Sequence, residues 1–151
     1  MTSDIEANKA AAVARAGALA AAAAGESAAA SGFVAAFYEH APPADIAARE
    51  PEDLCGGALA LWRFGARRHA GETRIRVYNP TLGADGWHSP HTIVEIVNDD
   101  MPFLVDSVTA AINDRGSIVR LVIHPVVNVV RDGEGHAVAL APAGLRESWM
   151  Q

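Results

Sequence analysis

The chain has 151 residues, room for one domain of ordinary size or a small domain with an appendage; alanine supplies 32 of them, leaving 44 larger apolar side chains for a core. Twelve basic against eighteen acidic residues give a net charge of −6, which argues against a nucleic-acid module, since phosphate binding needs a positive field. Cys55, the single cysteine, admits no internal disulfide and fits a cytoplasmic setting, and no run of about 20 strongly apolar residues is present to cross a membrane.

Residues 1–31 hold 15 of the alanines. Asp4, Glu6 and Arg15 set this stretch apart from a secretory leader, whose first residues are basic and whose apolar run is unbroken. Alanine favours helix but buries little surface, so the expectation is a disordered or fraying helical tail. Residues 32–90 read as a helical lead with one strand and a loop. Phe33, Val34, Phe37 and Tyr38 share a helical stripe, and Pro42 and Pro43 end it. Pro51 suits the first turn of a second helix, with Glu52 and Asp53 complementing its positive end. Leu54, Ala58, Leu61, Trp62 and Gly65 form the buried face of that helix. Arg63, Arg67, Arg68 and His69 fall in its last turns, where cations suit the negative end of the dipole better than they make a basic patch.

Thr73–Tyr78 alternates, Ile75 and Val77 on one side and Arg74 and Arg76 on the other, as in a strand with one wet face. The loop that follows carries His88 and His91, a pair with no third ligand at a recognisable spacing. Thr92–Val97 is almost entirely β-branched and reads as a buried strand. Asn98-Asp99-Asp100 then supplies turn and capping chemistry, and Met101-Pro102 opens a helix with Leu104, Val108, Ala111 and Ile112 on its apolar face. Gly116 ends it, and a long extended run follows from Ser117 to Val130, bent or edge-placed at Pro125. Asp132-Gly133 turns the chain into a short strand at Val138–Leu140. The second half is therefore a βαβ unit with a hairpin extension.

Little catalytic chemistry is on offer. Gly56-Gly57 sits inside a helix and Gly133-Glu134-Gly135 lacks a third glycine, so no dinucleotide loop is formed. Ser107 and Ser117 lie outside any strand-turn-helix elbow, and His124 reads as a sheet-face histidine rather than a base. Asn98-Asp99-Asp100 reads as a helix cap rather than a carboxylate pair, although a helix N-terminus with free amides can hold a ligand carboxylate.

The segments Arg76-Val77-Tyr78-Asn79-Pro80, His91 through Val108, and Leu121-Val122-Ile123-His124-Pro125-Val126 resemble the N-terminal region of the large bacterial NAD-specific glutamate dehydrogenases. Pro51-Glu52-Asp53-Leu54 and Leu61-Trp62-Arg63-Phe64 look like the same family's preceding helix, and Glu147-Ser148-Trp149-Met150 like the entry to its next strand. The resemblance runs from about Phe33 to the end. It implies an α/β (α+β) fold: an ACT-like, ferredoxin-like βαβ module over 91–151, incomplete at its C-terminus and preceded by two helices and a strand.

It further implies a non-catalytic regulatory or assembly region of an enzyme that deaminates glutamate to 2-oxoglutarate. NAD would then be bound elsewhere in the full enzyme and not by this chain. The implied partners are the remainder of the subunit, further copies in a homo-oligomer and an amino-acid effector. The ligand-contacting segment of ACT modules maps onto Asn98, Asp99, Asp100, Met101, Pro102, Phe103 and Leu104. Where the ACT pattern often has glycine after proline, this chain has Phe103. A stand-alone amino-acid-sensing module and a purely structural subunit-contact segment are the alternatives.

Overall fold

Four helices precede the first strand in the computed structural model, which describes residues 1–23 and 25–151: α1 (Thr2–Ala22), α2 (Ala28–Tyr38), α3 (Pro43–Ala47) and α4 (Pro51–Gly65). The remaining elements are β1 (Arg74–Tyr78), α5 (Leu82–Asp85), β2 (Ile93–Asp99), α6 (Leu104–Asp114), β3 (Val126–Arg131), β4 (Ala137–Leu140) and β5 (Leu145–Met150). Pro51 stands at the start of α4, with Glu52 and Asp53 in its first turn, as the sequence predicts. Leu54, Ala58, Leu61, Trp62 and Gly65 are all buried on its inner face.

Residues 2–22 form a helix docked on α2, α3 and α4, not a disordered or fraying tail. Small side chains are the reason. Ala16 and Ala20 have no solvent exposure, and the absence of bulk lets the backbones approach closely enough for methyl groups to seat among α2 and α4. Lys9 adds a polar tie, its Nζ donating to the carbonyls of Glu39 and Ala41 at 2.8 Å each, beyond the end of α2.

The five strands form one antiparallel sheet in the order β1-β2-β5-β3-β4. β5 pairs with β2 from Ile96↔Met150 to Asp99↔Glu147 and with β3 from Val126↔Ser148 to Val129↔Leu145. β2 and β3 thus run in the same direction, joined by α6, but β5 lies between them. The βαβ unit expected from sequence is a split one, because β5 takes the central place through the β3–β4 hairpin.

Two segments depart from the sequence reading. Asn98 and Asp99 are the last residues of β2, paired with Ser148 and Glu147, and do not cap α6. The extended run of Ser117–Val130 contributes strand only from Val126. Ahead of it, Ile123 exchanges backbone hydrogen bonds with Gln151 (2.8 and 2.9 Å), and Pro125 accepts from the Trp149 amide (3.1 Å), while Ser117–Val122 finds no strand partner.

The core lies between the helical layer and one face of the sheet. Phe33 packs on Trp62 and Trp149, with centroids 5.3 and 4.9 Å away, and the two tryptophans stack at 5.4 Å. Gly65 permits this: a Cβ there would lie 2.5 Å from the Trp149 ring. β1 presents Arg74, Arg76 and Tyr78 to this layer, and both arginines lie over the Phe64 ring of α4 at about 5 Å. Ile75 and Val77 therefore face outward and are 61% and 62% exposed, the reverse of a strand with arginines on its wet side.

Candidate functional site

The loop from Asn98 to Leu104 joins the centre of the sheet to α6. Its polar side chains are committed to neighbours. Asn98 Oδ1 accepts from the Thr73 hydroxyl at 2.7 Å. Asp99 accepts from Arg68 Nη2 at 2.7 Å and from the Gly71 amide at 2.9 Å, and the Arg68 hydrogen bond holds its carboxyl below the usual range. Asp100 receives Arg146 Nε at 2.7 Å, and its amide donates to the Arg146 carbonyl. No free carboxylate of this trio points at a ligand, and none caps the helix.

What the loop presents outward is apolar side chain and main chain. Met101 and Phe103 are exposed, Phe103 by 77%. Phe103 occupies the N-cap position of α6 with φ 63°, a left-handed conformation, and no side chain caps the helix. The residue standing where glycine is frequent thus keeps a glycine-like backbone conformation. The first-turn amides of α6 and the positive end of its dipole are left without a side-chain acceptor.

Beside this loop lies a hollow of about 310 Å³, lined among others by Phe37, His40, Val105, His124 and Pro125. His124 Nε2 meets Ser148 Oγ on β5. Burial pushes the imidazole below its ordinary 6.5, against the opposing pull of Asp100, so the ring is neutral at pH 7. His124 is a sheet-face histidine with a local partner. His88 and His91 are both exposed in their loop, and no cluster of three or more His, Cys, Asp or Glu suited to a metal occurs among the described residues.

Sequence reasoning missed the buried charges. Arg68, read as a helix-end cation, lies beyond α4 with no exposure and donates through Nη2 to both Asp99 and Glu147. Glu147 also accepts from Arg131 (Nε 2.8 Å, Nη2 2.9 Å) and from Trp149 Nε1 at 3.0 Å. Burial alone would raise its carboxyl, but the hydrogen bonds and charges of Arg131 and Arg68 outweigh that and hold it below the ordinary value. Arg131 reaches on to the carbonyls of Gly65, Ala66 and Gly135, fastening the end of α4 to the sheet.

A second buried carboxylate, Glu95, accepts from Arg76 Nε at 2.8 Å and Gln151 Nε2 at 3.1 Å. Here burial wins over these partners and raises the carboxyl. The one available signal was a charge at an inward position of an otherwise apolar strand, Glu95 among Ile93–Val97 and Glu147 beside Trp149.

Nothing in these residues suits NAD. Gly56 lies inside α4 against Trp87, and Gly135 closes a hairpin turn over the Arg68 carbonyl, so neither glycine pair forms a phosphate cradle. No helix is long and apolar enough to cross a membrane among the described residues.

The comparisons with known proteins agree with this arrangement. The family model described as glutamate dehydrogenase, ACT1 domain matches residues 33–151. The NAD-specific glutamate dehydrogenase of Halomonas elongata is 39% identical over 102 residues, which is 68% of this chain and 6% of that protein. That of Pseudomonas aeruginosa is 37% identical over 100 residues, 66% of this chain and again 6% of the relative. No solved structure matches the chain significantly. The chain thus spans a small fraction of the length of the curated relatives it matches, and with four fifths of it covered by the family model, it belongs to the glutamate dehydrogenase ACT1-domain family.

Proposed function

We propose that this chain is a non-catalytic regulatory or assembly region of a cytoplasmic, homo-oligomeric NAD-dependent glutamate dehydrogenase, which oxidatively deaminates glutamate to 2-oxoglutarate. The family match over 33–151 carries the reading. The chemistry of the chain supports it: its buried carboxylates are spent on arginines that fasten helices to sheet, and the side chains the loop before α6 leaves exposed, Met101 and Phe103, are apolar. NAD and glutamate are handled elsewhere in the subunit. Deleting residues 33–151 from the enzyme tests this. Loss of the native oligomer or of effector response, with NAD still bound, is expected, whereas unchanged assembly and unchanged kinetics would overturn the proposal.

A second reading, an amino-acid-sensing site at Asn98–Leu104, is favoured by the uncapped first turn of α6, whose amides suit a carboxylate. Thermal melts of the 151-residue chain with each common amino acid test it. A ligand at 100 times its Kd adds about 2.7 kcal/mol, and the absence of any shift would remove this reading.

A further inference from the structure

An outer strand of a sheet carries a row of unpaired amides and carbonyls, which folded proteins cover or interrupt. The β4 edge is dealt with in both ways. The Ala137 amide donates to the Ala66 carbonyl at 2.8 Å, the Gly135 carbonyl accepts from the Arg68 amide at 3.0 Å, and the register with β3 shifts between Val130 and Arg131. The β1 edge has no such device. Arg74–Tyr78 pairs with β2 in unbroken register from Arg74↔Val97 to Tyr78↔Ile93 and contains no proline, glycine or lysine. Its two arginines lie over Phe64, on the helical side, and leave the edge itself clear.

The ladder shows which groups are free. In an antiparallel strand the N–H and C=O of one residue point the same way, and the direction alternates along the strand. The Asp100 amide donates to the Arg146 carbonyl of β5, so Asn98 and Ile96 also face β5, while Ile93, Glu95 and Val97 face β1. Their partners Tyr78, Arg76 and Arg74 face back toward β2. The N–H and C=O of Ile75 and Val77 therefore point outward, and they have no hydrogen-bond partner among the described residues.

We propose that the β1 edge receives an extended segment of a partner protein as a further strand, the segment alternating apolar and acidic residues. This contact goes beyond the regulatory or assembly role and holds whether or not that role does.

The two faces of β1 set the pattern. A strand laid on this edge places alternate side chains beside Ile75 and Val77, both more than half exposed. The others fall beside Arg74 and Arg76, whose side chains are about a third exposed. The arginines stand at non-hydrogen-bonded positions of the new ladder, where facing side chains come closest, so carboxylates there meet the guanidinium groups directly. Arg74 has capacity to spare: its charge partner Glu72 is 3.8 Å away, and its hydrogen bond to the Arg67 carbonyl is long at 3.3 Å. A second copy of β1 fits poorly. Twofold pairing centred on Arg76 sets the Arg76 side chains of two copies face to face, pairing centred on Ile75 sets Arg74 against Arg76, and pairing centred on Val77 sets Ile75 against Asn79.

Peptide binding to the 151-residue chain, followed by fluorescence anisotropy, tests the proposal. One labelled peptide carries Val-Glu-Val-Glu-Val between serines, and the other has lysine in place of each glutamate. The glutamate peptide is expected to bind at least about tenfold more tightly, and Arg74→Glu to erase that preference. Val77→Pro removes an outward amide and spares the β1–β2 ladder, so it should weaken the glutamate peptide at least about tenfold while the chain keeps a cooperative melt. Ile75→Pro repeats the measurement should Val77→Pro fail to fold. Equal affinity for the two peptides, no binding of either, or binding that survives the proline variants overturns the proposal. Self-association of the free chain that Val77→Pro abolishes assigns the edge to a second copy, and slow hydrogen exchange of the Ile75 and Val77 amides in the full subunit without peptide assigns it to the subunit's own chain. Either outcome overturns the proposal.

Discussion

Phe103 holds φ 63° with three quarters of its surface in water, so its side chain gains little from the position its backbone strains to keep. A left-handed conformation costs a residue with a Cβ about 1–2 kcal/mol, part of which glycine gives back through the entropy of its unfolded chain. Phe103→Gly is therefore expected to raise stability by roughly 0.5–1 kcal/mol in urea denaturation; a loss would mean that the ring has a partner in the folded chain. Two buried carboxylates make opposite pH predictions. Glu147 is held below its ordinary 4.5, so its charge stabilises the fold above that value, and the contribution is lost as pH falls through the folded value. Glu95 is raised above 4.5, so its contribution is present below 4.5 and is lost as pH rises through the folded value. Measured against Glu147→Gln, the natural chain should lose its advantage on acidification below pH 4.5; measured against Glu95→Gln, it should gain ground as pH falls from 7 to 4.5. Parallel trends for the two variants would show that one direction is wrong.

At the scale of elements, the start and buried face of α4 were legible because their signals are local: proline at the start, acids in the first turn and an apolar face at helical spacing; its end was not, since Arg67, Arg68 and His69, expected in its last turns, lie beyond Gly65. The end of β2 was not, since Asn98 and Asp99 have the residue types of a cap. Their strand conformation is held by pairing with β5 and by Arg68, Gly71 and Thr73, all distant in sequence. The candidate site suffered the same way: its position after β2 was readable, but the commitment of its carboxylates to Arg68 and Arg146 was not. Gly65 sits between the local and the tertiary. As the last residue of α4 it looks replaceable, and alanine would gain up to about 1 kcal/mol of helix propensity. Its Cβ would nevertheless lie 2.5–2.6 Å from a Trp149 ring already stacked on Trp62 and tied to Glu147. Gly65→Ala should destabilise by about 1–3 kcal/mol, the usual cost of overpacking, and a neutral result would show that Trp149 can shift.

Across the whole molecule, side-chain alternation shows that β1 has two unlike faces but not which one meets the core. Arginine over Phe64 and against Glu95 inverts the simple rule. The alanine-rich N-terminus fails a similar rule, because low burial per residue does not prevent docking when close approach is possible. α1 lies outside the 33–151 family match, yet Ala16 and Ala20 belong to the same core as Phe33, Trp62 and Trp149. Two buried methyl groups at about 0.8 kcal/mol each, with the Lys9 hydrogen bonds beyond α2, set its contribution on the order of 2 kcal/mol. A chain beginning at Ser27 keeps the hydroxyl that caps α2 but lacks α1. It should unfold at lower urea with one cooperative transition, because the sheet and the remaining helices still share the Trp62–Trp149 stack. An unchanged midpoint would mean that α1 contributes nothing to folding in solution, and the expectation of a fraying tail would then stand over the docked helix.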